Sequence, residues 1–166
     1  MMIRDALLQE LDLIREQRVQ AYEEHARVLP EEHWLALKKA ISSAVDTHEG
    51  VELIVAEEDG AILGSVVLFP PNTDAYEGYV EELDYYEIRM LAVDPAARGK
   101  GVASALIQEC IDRTKAKGYD AIGLHTGEFM KSAMRLYERM GFQRLPQYDF
   151  EPANDGIIVK AFKLTF

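Results

Sequence analysis

The order of apolar patterns along this 166-residue chain predicts an α+β fold, mixed α/β in its ordering. Three features carry the prediction: helical periodicity early in the chain, antiparallel hairpin patterns towards both ends, and one strand–helix–strand unit in the middle. The length suits one domain with a sizeable core, so residues 1–166 are expected to form a single domain.

Ile3-Arg4-Asp5-Ala6 reads as a short opening strand. Residues 7–27 carry Leu7, Leu11, Ile14, Val19 and Tyr22 at loosely helical spacing, and Pro30 interrupts them. Pro30-Glu31-Glu32 is a helix start, with proline and acids in the first turn. Trp34, Leu37, Ala40, Ile41 and Val45 share one face of that helix, which is expected to end within 46–50. Residues 51–56 and 61–69 are apolar and rich in β-branched side chains, and they flank Glu57-Glu58-Asp59-Gly60 as a β-hairpin. Pro70-Pro71-Asn72 stops the second strand, and residues 73–82 read as a polar loop with Tyr76 and Tyr79. A long strand over 85–93 ends at Asp94-Pro95. A helix over 101–117 turns Val102, Leu106, Ile107, Cys110 and Ile111 inward, is capped by Gly118, and leads to a buried strand over 120–126. A short amphipathic helix over 131–140, closed by Gly141, precedes strands over 142–150 and 157–166. The expectation is about seven strands and about four helices.

A net charge of -11 argues against nucleic acid or an anionic membrane as partner, because both reward basic patches. No apolar run reaches the roughly 18 residues that span a bilayer, and Met1-Met2-Ile3-Arg4-Asp5 lacks the apolar core of a signal peptide, so the expected location is cytoplasmic. The charge is uneven. From Ala40 to Ile88 there are twelve Asp or Glu and no Lys or Arg, whereas Arg98 to Arg144 carries nine basic residues against five acidic ones. Such asymmetry either keeps a surface solvated or separates a cationic ligand from an anionic one. The single cysteine, Cys110, sits among apolar neighbours and reads as core rather than nucleophile. His25, His33, His48 and His125 lie at no metal-ligand spacing, so no metal is expected.

The segment with most chemical content is Arg98-Gly99-Lys100-Gly101-Val102-Ala103-Ser104, which follows a strand and opens a helix. There, unpaired backbone N–H groups and the helix dipole favour an anion, phosphate above all. Gly99 and Gly101 let the backbone approach a ligand, and Arg98 and Lys100 add positive charge. The nucleoside-triphosphatase loop would need G-x-x-x-x-G-K followed by Ser or Thr, and it is absent. The dinucleotide fingerprint G-x-G-x-x-G is half met, with Ser104 in place of its third glycine; the acid expected about 20 residues on should close the next strand, and Asp120 opens it.

The company of this turn is distinctive. Glu87-Ile88-Arg89-Met90-Leu91-Ala92-Val93-Asp94-Pro95 precedes an R-x-x-G-x-A run, and Ala133-Met134-Arg135-Leu136-Tyr137-Glu138-Arg139-Met140-Gly141-Phe142 follows about thirty residues later. Together these segments strongly resemble the GNAT superfamily of acyl-CoA-dependent N-acetyltransferases. The likeness is close over 85–142 and extends to the order of elements across nearly the whole chain. It implies a mostly antiparallel twisted sheet with a splayed parallel pair of strands in its middle, and acetyl-CoA as co-substrate. It further implies that Leu91, Ala92 and Val93 pair with the pantetheine arm, that the N–H groups of Arg98, Gly99, Lys100, Gly101, Val102, Ala103 and Ser104 hold the diphosphate, and that an N–H near Leu91 steadies the oxyanion. Tyr137 matches the family's usual acid for the departing thiolate, whose basicity is near that of cysteine at about 8.5.

Glu87 occupies the position where several members carry a base. Strand alternation puts it on one face with Arg89, so base and ion pair both remain open. Many members have an Asn that contacts the cofactor where this chain has Met130. His125 and Thr126 end a strand and are available either to substrate or to their neighbours. The acceptor pocket is expected from the first helices, the loop before Tyr86 and the last hairpin, with Tyr22, Tyr76, Tyr79, Tyr85, Tyr86, Tyr148 and Glu151 available. The acidic stretch suggests a cationic acceptor, either a small-molecule amine or a basic peptide. Two other readings stay in play: a non-catalytic acyl-CoA sensor or interaction module of the same fold, and a dinucleotide-dependent oxidoreductase. A final strand able to pair or exchange allows a homodimer.

Overall fold

The computed structural model describes residues 1–72 and 83–166. Among them are seven strands in the order β1-β2-β3-β4-β5-β7-β6. β1 (Met2–Asp5), β2 (Glu52–Glu58) and β3 (Ala61–Phe69) are followed by β4 (Tyr86–Val93), β5 (Ala121–Gly127), β6 (Gln143–Arg144) and β7 (Val159–Thr165). The described helices are α1 (Leu11–Tyr22), α2 (Glu31–Ile41), α3 (Val102–Ala116) and α4 (Lys131–Arg139). The fold is the expected α+β sheet, mostly antiparallel, with β4 and β5 as its parallel pair. Tyr76 and Tyr79 lie outside the described residues. The chain divides into two compact units, Met1–Leu68 with Arg89–Cys110 and Phe69–Ile88 with Ile111–Phe166.

In the first unit the β2–β3 hairpin turns through Asp59 and Gly60, at φ +51° and +81°. Two successive left-handed residues match the twist of the flanking strands, which is why an Asp-Gly pair stands there. β2 runs on to Glu58, two residues further into the turn than the apolar run suggested, and β3 begins at Ala61 as expected. The expected helix over 7–27 is α1 with a tight 3-10 turn on either side, Leu8–Glu10 and Glu23–Arg27. The second helix ends at Ile41, and Ala44–Thr47 is a separate 3-10 turn. α1 buries Ile14, Arg18, Ala21 and Tyr22, a 3.6-residue face with a guanidinium in its middle. Arg18 Nη1 donates to the Ile41 carbonyl at 2.7 Å and to Asp46 Oδ2 at 3.0 Å, and Arg15 Nη2 meets Asp46 Oδ1 at 2.8 Å. The Arg18 and Asp46 side chains are both 0% exposed, so the guanidinium ties α1 to the end of α2 and the carboxylate ties α1 to the turn after it. Burial pulls the Arg18 guanidinium below its ordinary pKa, and the charge of Asp46 opposes that pull.

In the second unit α3 and α4 end alike. Gly118 (φ +86°) and Gly141 (φ +97°) take the left-handed position after each helix. The next N–H, of Tyr119 or Phe142, reaches back to the carbonyl of Thr114 or Tyr137. This six-to-one bond comes with an apolar contact between the residues it joins, and for α4 that contact is Tyr137 against Phe142, with ring centroids 5.8 Å apart. The strand expected over 142–150 is corrected: β6 covers only Gln143 and Arg144, because Pro146 opens a 3-10 turn, Pro146–Tyr148. Phe150 then makes an isolated bridge to Val159. Asp149, in the connection, holds Arg144 and accepts from the Ala161 N–H. Burial alone would raise the Asp149 carboxyl, but Arg144, that N–H and the nearby His125 bring it below the usual range.

Candidate active site

Toward the Gly-rich turn, Met90 in β4 has φ +57°, a left-handed kink inside a strand. It interrupts side-chain alternation between Glu87 and Leu91 and re-aims the strand's last residues, Leu91, Ala92 and Val93. Asp94 donates its N–H to the Leu63 carbonyl at 2.8 Å, and its carboxylate accepts from the Ala96 N–H at 2.9 Å, which caps the 3-10 turn Pro95–Ala97. Gly99 and Gly101 then lie at φ +82° and +78°, and a Cβ at either would meet nothing within 4 Å. These two glycines therefore serve backbone conformation rather than packing. Ala105 N donates to Gly101 O, so the N–H groups of Val102, Ala103 and Ser104 come before the first bond of α3. Val102 is buried as the anchor of the turn, whereas Arg98, Gly99, Lys100, Gly101 and Ser104 are exposed. The Arg98 guanidinium is held by Glu24 at 2.7 and 3.0 Å, and this hydrogen bond pulls the Glu24 carboxyl down.

Gly64 on β3 is a residue that sequence reasoning missed. A Cβ there would stand 2.6 Å from the Ala92 carbonyl oxygen, 3.1 Å from Val102 Cγ1 and 3.3 Å from Val93 Cα. The first obstacle is backbone, so it cannot swing aside. Gly64→Ala should lower stability by about 1–3 kcal/mol, read from urea unfolding, because it forces β3 off β4 beside the turn.

In the second unit the parallel register sets Tyr86, Glu87 and Ile88 opposite Ile122, Gly123 and Leu124. Glu87 does not stand alone: its Oε2 is 3.1 Å from His125 Nδ1, and His125 Nε2 is 3.1 Å from the Tyr148 carbonyl oxygen. The side chains are 8% and 2% exposed. His125 lies inside β5 rather than at its end, and both ring nitrogens have partners. Gly123 leaves room for the Tyr85 ring, one carbon of which a Cβ there would strike. Lys163 Nζ sits 4.7 Å from the centroid of that ring. Beside them opens a cavity of ≈ 400 Å³ lined by Leu83, Asp84, Tyr85, Leu145, Gln147, Tyr148 and Lys163. Burial, then the charge of Glu87, push the Tyr85 hydroxyl well above the usual tyrosine range.

Tyr137 is 4% exposed and packs against Phe142 and Phe162. Met130, at the α4 N-cap, makes no side-chain cap and receives the Thr126 hydroxyl on its sulfur at 3.5 Å. Among the described residues no helix is long and apolar enough to cross a membrane.

The described residues thus form a mostly antiparallel sheet with one parallel pair and a glycine-bearing strand-to-helix turn. Comparison with known proteins gives this arrangement its class, the acyl-group transferases, and its family. A sequence profile of the acetyltransferase (GNAT) family matches residues 9–142, and the chain belongs to that family. N-acetyltransferase family 8 member 2 of Rattus norvegicus is 30% identical over 112 residues, which is 68% of this chain and 47% of the relative. Mycothiol acetyltransferase of Beutenbergia cavernae is 37% identical over 90 residues, 54% of this chain and 27% of the relative. The chain thus spans about half or less of the length of these curated relatives. Among solved structures, the PaiA N-acetyltransferase of Thermoplasma acidophilum in complex with coenzyme A aligns over 99% of this chain and 98% of its own, with a TM-score of 0.72 at 17% identity. YncA of Salmonella typhimurium with its cofactor acetyl-CoA aligns over 99% and 93%, with a TM-score of 0.66 at 22% identity. At such identities the structural likeness bears on fold alone.

Proposed function

We propose that this chain moves an acetyl group from acetyl-CoA to a primary amine by direct attack. The observation that carries the proposal is the pair of left-handed glycines, Gly99 and Gly101, with open space where side chains would stand and the first N–H groups of α3 directly after them. A diphosphate fits such a cradle. Arg98, Gly99, Lys100, Gly101, Val102, Ala103 and Ser104 hold it, and Leu91, Ala92 and Val93 offer backbone groups to the pantetheine arm. An N–H near Leu91 accommodates charge on the thioester oxygen.

An ammonium acceptor first sheds one proton to solvent; Glu87 then takes a second proton from the neutral nitrogen as it forms the new bond to the carbonyl carbon. As the C–S bond breaks, Tyr137 gives its proton to the departing thiolate, and solvent restores it. The acceptor enters the ≈ 400 Å³ cavity, where Asp84 attracts a cation and the Tyr85 and Tyr148 rings supply apolar surface. Lys163 on the same wall disfavours a polycation and points to a small amine with one positive charge. One observation favours the alternative of a non-catalytic acyl-CoA-binding module, namely the burial of Tyr137.

Thiol release from acetyl-CoA across a panel of cationic, neutral and anionic amines tests the activity. Monocationic amines should turn over fastest, and Tyr137→Phe should lower kcat by about 10²-fold while acetyl-CoA still binds. Turnover of no amine would favour the binding module, and a preference for anionic amines would end the acceptor proposal.

A further inference from the structure

We infer that His125 is a positioning residue for Glu87 and that the two share one proton, so the pair, rather than the carboxylate alone, is the base. The inference rests on the proposed role of Glu87 and deepens it. It follows from counting protons. Nδ1 of His125 faces the Glu87 carboxylate and Nε2 faces the Tyr148 carbonyl, each at 3.1 Å. Both partners are acceptors, and a neutral imidazole carries a single N–H. Both contacts are hydrogen bonds only when a second proton is present. With that second proton on Nδ1, facing the carboxylate, the pair is an imidazolium and a carboxylate of zero net charge. Without it, a ring lone pair must face an acceptor in a site that water hardly reaches.

The surroundings suit this arrangement. Asp149 acts on His125 by charge and is itself bound to Arg144. The Tyr85 hydroxyl, held in its neutral form, and Tyr148 face the pair from the residue just before β4 and from the 3-10 turn, and the Phe150 ring lies 5.6 Å from the imidazole. Lys163 is directed onto the Tyr85 ring.

The catalytic consequence is a base with a built-in gain. Once the shared proton is lost, the pair carries one negative charge and one unfavourable facing contact. When it takes a proton from the amine as the N–C bond forms, charge neutrality and both histidine hydrogen bonds return. The proton enters at the carboxylate and is held between Oε2 and Nδ1, and solvent removes it before the next turnover. Tyr148 is shared, because its carbonyl fixes the imidazole while its residue lines the proposed acceptor cavity.

The test is the pH profile of kcat/KM for thiol release by the wild type, Glu87→Gln and His125→Gln. His125→Gln should move the acid limb to lower pH by about one unit or more and lower the plateau, since a lone carboxylate sheds its proton earlier and is a weaker base. Glu87→Gln should lower the rate at every pH. A His125→Gln profile that superimposes on the wild type while Glu87→Gln is impaired overturns the pair and leaves the base assignment standing. A fully active Glu87→Gln overturns the base assignment itself. If His125→Gln does not fold, nitrogen-15 NMR of the wild-type ring decides: both His125 nitrogens should be protonated at about pH 6 and one should lose its proton in Glu87→Gln, whereas a single protonated nitrogen in the wild type contradicts the inference.

Discussion

Asp46→Ala is expected to cost about 3–5 kcal/mol of folding stability, because it leaves a fully buried guanidinium without its counter-charge. Asp46 is the carboxylate that both Arg15 and Arg18 reach, and Arg18 Nε and Nη2 have no hydrogen-bond partner among the described residues. Arg15 is partly exposed and can turn to water, but Arg18 cannot. In a chain of 166 residues the loss corresponds to a melting temperature lower by roughly 10 °C. The double variant Arg18→Met/Asp46→Leu should recover most of it, since apolar side chains of similar size carry no desolvation cost. Urea denaturation measures both. An Asp46→Ala variant as stable as the wild type would mean that Arg18 finds another anion or water, and that this cluster does not hold α1 to α2.

Glu87→Gln should reduce kcat by roughly 10²–10⁴-fold with little change in acetyl-CoA affinity. The amide keeps the volume of the carboxylate and a hydrogen bond to His125, so stability should change little. What is lost is the ability to take a proton. Steady-state kinetics with the best amine, beside calorimetric titration of acetyl-CoA, separates the two effects. A kcat within threefold of the wild type would assign the proton to solvent or to another group.

Much of the architecture is legible in the sequence because its signals are local. Asp59-Gly60 announces a hairpin, Gly118 and Gly141 announce helix ends, and Gly99 and Gly101 announce a turn with φ > 0. The misread elements have local causes too. Pro146 cuts the strand expected over 142–150, and the helix expected to end within 46–50 stops at Ile41 because Ser42 and Ser43 bond their hydroxyls back to the carbonyls of Lys38 and Ala40. Long-range features leave no such trace. Gly64 looks like any glycine in an apolar run, and only the approach of the Ala92 carbonyl gives it a purpose. Helical periodicity gave Ile14 and Tyr22 their spacing in one helix but could not place the buried Arg18 between them. Strand alternation offered Arg89 as face-mate of Glu87, whereas the structure sets the carboxylate on His125, from the neighbouring strand, and kinks β4 at Met90.

Calorimetric titration of acetyl-CoA into the wild type and into Gly101→Val tests the central claim most directly. The valine Cβ would enter open space, so the fold should survive, while φ +78° is strained for a β-branched residue and the N–H cradle must shift. Saturable 1:1 binding to the wild type, weakened about tenfold or more in Gly101→Val, with no binding of NAD to either, is the expected result. No binding of acetyl-CoA to the wild type, or equal affinity in the two proteins, would contradict the account.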